Sequence, residues 1–265
     1  MNPQVPYGQM GAFYPLDYGP HQLKTDTFEK SRDKLIKRTR NDPVISSICN
    51  ELTPSSRLLD LGCGSGAFLS DIAAITGCKV WGVDFSDNAA RTAKQNYGID
   101  VFVGSILESP FQDNFFDVIT AWSCLEHVND PAASLRKLYD LLKPGGSCVI
   151  STPNFDSFNA RLFREKWYHL DCPRHLYIYS PRTLTALLQK SGFSIQKVVY
   201  DKSSKGTLGS LQYLFYGDNY NLTHRNRLRR SLLLKTIVSP FSRIAALLKK
   251  SDVIVVLARK KTSFE

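Results

Sequence analysis

From about residue 55 the chain alternates short apolar runs with stretches whose apolar positions recur every three or four residues. Short apolar runs bounded by glycine or proline predict strands, and the helical recurrence predicts helices. RLLDLG (57–62) and KVWGVD (79–84) read as strands, and GAFLSDIAAITG (66–77) between them as a helix ending at Gly77. A second helix runs through SDNAARTAKQNYG, with Ser86 or Asp87 as its cap, before strands in DVFVG and FFDVITAW. NDPAASLRKLYDLLKPGG predicts a helix with Asp130 as N-cap, Pro131 as first helical residue and Pro144-Gly145-Gly146 as its stop. SCVIST is the fifth strand. Ser180-Pro181 opens a helix closing at Gly192, and FSIQKVVYD and DVIVVLARK are the last two strands, expected to pair antiparallel. The alternation predicts an α/β, Rossmann-like fold: a seven-stranded, mostly parallel sheet with an antiparallel last strand.

Two segments fall outside this core, which is expected to span 46–201 plus 252–265. Residues 1–45 begin aromatic and proline-rich (FYPLDYGPH) and continue charged (TFEKSRDKLIKRTR), and are expected to form an N-terminal cap over the site. A loose tail is the alternative. Residues 202–251 form a helical insertion where a short turn between the last two strands would suffice. Apolar residues at 228, 232, 233, 237, 241, 244 and 248 have helical spacing, and Pro240 is expected to separate a pair of helices.

Charge sharpens the picture of that insertion. The net charge is +10, and residues 202–251 hold ten basic residues against one acid, Asp218, for +9. Three uses compete: a solvated face over packed helices, an anionic membrane surface met through 225–250, or nucleic acid. Nucleic acid is the least expected, because the cations interleave with Leu and Ile rather than with stacking aromatics. No run of about 20 apolar residues predicts a membrane span. The N-terminus has no basic start followed by an apolar core, so no secretory signal is expected. Six cysteines without a C-x-x-C pair fit reduced thiols and a cytoplasmic setting, peripheral at the inner face of a membrane if the insertion docks there.

Candidate chemistry begins where the pattern first turns. LLDLGCGSGAFL ends a strand, turns on Gly62, Gly64 and Gly66, and starts a helix. Glycines permit the tight turn and the close approach of a ligand to the main chain. Asp84 ends the next strand, where a carboxylate can accept both hydroxyls of a ribose. Strand, G-x-G-x-G, helix, strand and acid recur at the interval of one βαβ unit. A dinucleotide-binding turn usually carries its third glycine one position later, where Ala67 stands. The competing reading makes Asp60 and Asp84 simple strand-end caps.

LLDLGCGSG, VWGVD, FFDVITAWSCLEHVNDP and LLKPGG, in that order, resemble the class I S-adenosylmethionine-dependent methyltransferases over about 45–201 and 252–260. CLEHVNDP and PRHLYIYSPRTL bring the resemblance nearest to the small-molecule group of ubiquinone-pathway O-methyltransferases and sugar and natural-product enzymes. The resemblance implies S-adenosyl-L-methionine as cofactor. It implies that Asp60 and the Gly62–Gly66 turn hold the methionine portion and Asp84 the ribose. It also implies that Ser105 and Ile106 flank the adenine and that Trp122 closes on the methionine side. Many relatives carry an aspartate where Ser105 stands, which leaves adenine recognition here to backbone contacts.

In this fold the acceptor is met by loops beyond the fourth and fifth strands. EKWYHLDCPRHLYIYS (165–180) lies in the second of these and packs His169, Asp171, Cys172 and His175 together. Zinc on those four is conceivable, but no metal is expected, because the loop has an adequate use in gripping an acceptor. Trp167, Tyr168, His169 and Tyr177 are the expected substrate contacts. His127 and His175 are the candidate bases for removing a hydroxyl proton. The plainer alternatives are that Glu126-His127 steadies a turn and that His175 holds the loop. The expected function is methylation, most plausibly of oxygen, on a small-molecule, sugar or lipid-linked acceptor. An RNA methyltransferase using the basic insertion, or a non-catalytic cofactor-binding or membrane-associated scaffold, are the competing readings.

Overall fold

Seven strands form one sheet in the order β3-β2-β1-β4-β5-β7-β6. They are β1 (Arg57–Leu61), β2 (Lys79–Asp84), β3 (Val101–Val103), β4 (Phe116–Trp122), β5 (Leu142–Pro153), β6 (Phe193–Tyr200) and β7 (Val253–Lys260). The first five run parallel, and β7 lies antiparallel between β5 and β6. This computed structural model describes residues 42–217, Leu228 and residues 231–262. Most of the segment expected as a cap therefore lies outside the described residues, as do Arg225, Arg227, Arg229 and Arg230.

Helices cover both faces because the central strands are apolar on both. Leu59, Ile119, Ile150 and Val256 point to one side, against Leu135 and Leu138 of α4 (Pro131–Leu141) and Leu184 and Leu188 of α6 (Pro181–Lys190). Their neighbours Leu58, Val118, Val149 and Val255 point to the other, as strand alternation requires. There they meet α1 (Pro43–Glu51), α2 (Ala67–Thr76) and α3 (Asp87–Tyr97) through Ile48, Ile72 and Ala93.

Helix ends follow the side chains that satisfy them. Ser86, not Asp87, caps α3 by accepting from the Ala89 amide, and Asp130 caps α4 by accepting from Ala133. Gly77, left-handed at φ 74°, closes α2. No disulfide joins the six cysteines.

Three local features depart from the periodicity. Strand β5 begins at Leu142, ahead of the proline-glycine stop, and Leu142 pairs with Phe116. The loop after β5 contains a short helix, α5 (Phe158–Phe163). In the insertion, α7 (Lys205–Tyr216) precedes α8 (Leu232–Leu247), and Pro240 lies inside α8 rather than between two helices. An interior proline costs about 3 kcal/mol because one helical hydrogen bond is lost. Here Pro240 and Thr236 are both exposed, so water can reach the Thr236 carbonyl left without its usual donor.

Candidate active site

Strand order reverses between β1 and β4: from β1 the chain steps outward to β2 and β3, then returns to place β4 on the other flank. Helices leaving the two flanks diverge there, which opens a crevice at the carboxyl ends of the strands. Asp60, Asp84 and Trp122 stand at those ends, on β1, β2 and β4.

The turn after β1 is built from left-handed backbone: Gly62, Gly64 and Gly66 have φ of 73°, 52° and 76°. Its amides are tied to β2, with Gly62 donating to the Val83 carbonyl at 2.7 Å and Gly64 to Asp84 Oδ2 at 2.9 Å. A Cβ on Gly62 would lie 2.7 Å from Cys124 Sγ, and one on Gly66 2.9 Å from Ala93 Cβ. Both glycines are therefore required by conformation and by protein packing together.

Both acids are buried, Asp60 to 2% exposure and Asp84 to 5%. Thr120 donates to Asp60 Oδ1 at 2.6 Å, and the Ser86 amide donates to Asp84 Oδ1 at 3.0 Å. Burial pushes the Asp60 carboxyl up to about 7; the Thr120 hydrogen bond opposes this and the charge of Asp84 adds to it. Two carboxyls in one crevice favour a ligand that brings positive charge and hydroxyls.

Gly104, at the end of β3, donates to the Asp84 carbonyl at 2.9 Å, which sets the next residue, Ser105, beside the Asp84 strand end. Ser105 Oγ accepts from the Leu107 amide at 3.3 Å, capping a single turn of 3-10 helix. Ile106 is 2% exposed and belongs to the core. Trp122 packs edge-on against Phe68 of α2, ring centroids 5.4 Å apart. Its Nε1 is buried with no hydrogen-bond partner among the described residues, a donor that a ligand carboxylate or hydroxyl can satisfy.

Beyond β4, a single 3-10 turn (Leu125–His127) carries Glu126 and His127. The loop after β5 folds back onto it: the amides of Leu176 and Tyr177 donate to the Glu126 carbonyl at 2.8 and 3.2 Å. That return brings the His127 and His175 rings together, centroids 4.7 Å apart. His127 Nδ1 pairs with the Arg174 carbonyl at 2.9 Å and His175 Nδ1 with the His169 carbonyl at 2.8 Å. A carbonyl only accepts, so in each neutral ring Nδ1 carries the proton and Nε2 the lone pair.

Burial, with the charge of His175 second, brings His127 down to about 4, and burial lowers His175 as well. Burial also pushes Glu126 up to about 8, against a Thr152 hydrogen bond of 3.1 Å that favours ionisation. Burial alone would raise Asp171, but the paired Arg174 guanidinium holds it below its ordinary value.

The tetrad considered for zinc is not assembled. Both Asp171 oxygens engage Arg174, and Cys172 lies exposed. Glu126, His127 and His175 converge instead. Glu126 was legible only as a turn residue; its signal was an acid set between apolar Leu125 and Val128.

The remaining loop residues face different ways. Trp167 is 2% exposed and donates its Nε1 to Asp252 Oδ1 at 3.0 Å, anchoring the loop to the start of β7. Tyr168 stacks on Tyr213 of α7, and the Tyr168 amide donates to Ser210 Oγ at 2.9 Å. Half-buried His169 sits edge-on to both Trp167 and Tyr168. The Tyr177 hydroxyl donates to the Asn129 carbonyl at 2.9 Å. Asp252, which also accepts from Asn159, had no signal beyond its place at a strand start.

Comparison with known proteins agrees with this geometry. A family model described as "Methyltransferase domain" matches residues 31–198, more than half of the chain. A ubiquinone biosynthesis O-methyltransferase of Nitrosospira multiformis is 31% identical over 157 residues, 54% of this chain and 64% of the relative. A ubiquinone/menaquinone biosynthesis C-methyltransferase of Vibrio vulnificus is 28% identical over 174 residues, 55% of this chain and 66% of the relative. The chain thus spans less than two thirds of the length of either relative. The crystal structure of a SAM-dependent methyltransferase from Archaeoglobus fulgidus superposes with TM-score 0.57 at 20% identity, covering 87% of this chain and 95% of that one. With the strand-end crevice, the glycine turn and the family match in agreement, the chain belongs to the class I S-adenosylmethionine-dependent methyltransferases.

Proposed function

We propose that this chain transfers the methyl group of S-adenosyl-L-methionine to a hydroxyl of a small molecule: a quinone precursor, a sugar or a lipid-linked glycan. The observation that carries the reading is the convergence of His127 and His175 at the end of the sheet that also holds Asp60 and Asp84. Relatives named for ubiquinone biosynthesis, one an O- and one a C-methyltransferase, support a small-molecule acceptor.

The cofactor supplies a methyl group activated on a sulfonium. Asp60 and the Gly62–Gly66 turn would hold its amino-acid end, Asp84 its ribose hydroxyls, and Ser105 with the main chain at Ile106 its adenine, while the Trp122 indole N–H would meet a polar group on the methionine side. Tyr168, His169 and Tyr177 wall the acceptor, and Trp167 fixes the loop that carries them. His127, or failing it His175, takes the hydroxyl proton at Nε2. Because displacement at carbon is in line, alignment and exclusion of water do most of the work.

The test is incubation of the purified chain with methyl-labelled cofactor and cell fractions. Label in small molecules or lipid-linked glycan supports the reading. Label in RNA overturns it in favour of an RNA methyltransferase, and cofactor binding without turnover favours a scaffold. His127→Ala and His175→Ala should each lower turnover with little change in cofactor affinity. Normal turnover in both would remove the base assignment.

One observation favours membrane docking as an added feature. Helix α8 buries its small residues Ser242 and Ala245 and exposes its large ones, with Leu232 at 78%, Ile237 at 62% and Leu247 at 79% exposure. That is the reverse of a helix packed by its apolar face on a core. Lys235, Arg243, Lys249 and Lys250 accompany the stripe, a composition suited to an anionic lipid surface. No described helix is long and apolar enough to cross a membrane.

A further inference from the structure

Glu126, His127 and His175 each place one potential ligand atom within 4.8 Å of the other two. Three features make the cluster more than a coincidence of polar groups. First, each imidazole is oriented from behind: the Nδ1 contacts to the Arg174 and His169 carbonyls, 2.9 and 2.8 Å, assign the lone pairs to Nε2. Metal-ligating histidines are held in this way, with one ring nitrogen donating to a carbonyl while the other binds. Second, Glu126 is fully buried; Thr152 holds its Oε2 at 3.1 Å, while Oε1 has no hydrogen-bond partner among the described residues. An oxygen buried without a partner costs about 1–3 kcal/mol unless something meets it. Third, the ligands come from two segments, the turn after β4 and the loop after β5, which main-chain hydrogen bonds lock together.

We propose that Glu126, His127 and His175 bind one divalent transition-metal ion, of the zinc, iron or manganese class. Two imidazoles and a carboxylate suit these metals and leave coordination positions open. The His169, Asp171, Cys172 and His175 set offers no rival, since Arg174 occupies Asp171 and Cys172 lies exposed.

The role for this ion rests on the proposed methyl transfer, although binding itself does not. An acceptor hydroxyl entering an open position would release its proton to solvent. Its oxygen then forms the new bond to the methyl carbon as the carbon–sulfur bond breaks, and that electron pair stays on sulfur. The ion takes over the role otherwise given to an imidazole base, and adjacent hydroxyls on the acceptor would chelate it.

The experiment is calorimetric titration of the chelator-treated full chain with Zn²⁺, and separately with Mn²⁺ followed by electron paramagnetic resonance. Binding near one ion per chain is expected. Glu126→Gln, His127→Ala and His175→Ala should each weaken it by at least the roughly 10–100-fold that loss of a mere outer-shell partner costs, while Cys172→Ser leaves it unchanged. S-adenosylhomocysteine binding by each variant checks that the fold survives. Absence of stoichiometric binding, or equal affinity in all three variants, overturns the proposal. The two readings fail separately: metal bound without methyl transfer to any fraction removes the proposed function alone. Full turnover in the presence of a chelator removes the ion's role in transfer alone, while the titration decides the binding.

Discussion

Asp60 holds a carboxyl in the interior of the sheet with Thr120 donating to it and Asp84, Cys63 and Cys124 nearby. Its folded pKa, about 7, lies above the ordinary 3.8. The folded chain therefore holds a proton between those values that the unfolded chain has released. The contribution of this group to stability falls as pH rises through that window, and Asp60→Asn should make the slope shallower, leaving the part that Glu126 contributes. Difference melting curves of the two proteins from about pH 4.5 to 8 check this; identical pH profiles would contradict it. A cationic ligand beside Asp60 favours the ionised form, so cofactor affinity should rise with pH up to about 7 in the native chain only. The positions of Asp60 and the glycine turn were legible because they depend on neighbours within one βαβ unit. Glu126 and His175 were not legible as partners, because only the folded return of a second loop brings them together.

Helix ends were readable wherever one side chain sets them, as Ser86 and Asp130 do. The helices α5 and α7 were not, since α5 is a single short segment and α7 is buried through Gly206, Gly209 and Ser210 without an apolar stripe. In α8 the stripe was readable, but its direction was not: periodicity marks an apolar face without saying whether protein or something else covers it. If that face meets lipid, vesicles rich in anionic phospholipid should float the chain at low salt. Replacing Leu233 and Ile237 by serine should abolish flotation with little loss of stability, because both side chains are exposed. Flotation by the variant equal to that of the native chain, or none by either, would contradict membrane docking.

The molecule divides its labour by position along the sheet. Reversal of strand order between β1 and β4 sets the crevice, and the ends of β1, β2 and β4 supply acids and indole. The loop after β5 folds back onto the turn after β4 and is anchored to β7 and α7 through Asp252 and Ser210. The alternation of strands and helices and the antiparallel last pair were legible, but the strand order was not, because connection rules leave more than one order open to the same run of elements. The packing of the loop after β5 on the insertion was not legible, because it joins residues far apart in sequence. Everything proposed for the chemistry depends on the nucleoside lying at Asp84. Calorimetric titration with S-adenosylhomocysteine tests this most directly, comparing the native chain with Asp84→Asn, which keeps the shape and removes the charge. The account predicts one ligand per native chain and an affinity weaker by about tenfold or more in the variant, since hydrogen bonds to charged groups contribute roughly 1.5–3 kcal/mol; equal affinities in the two proteins would contradict it.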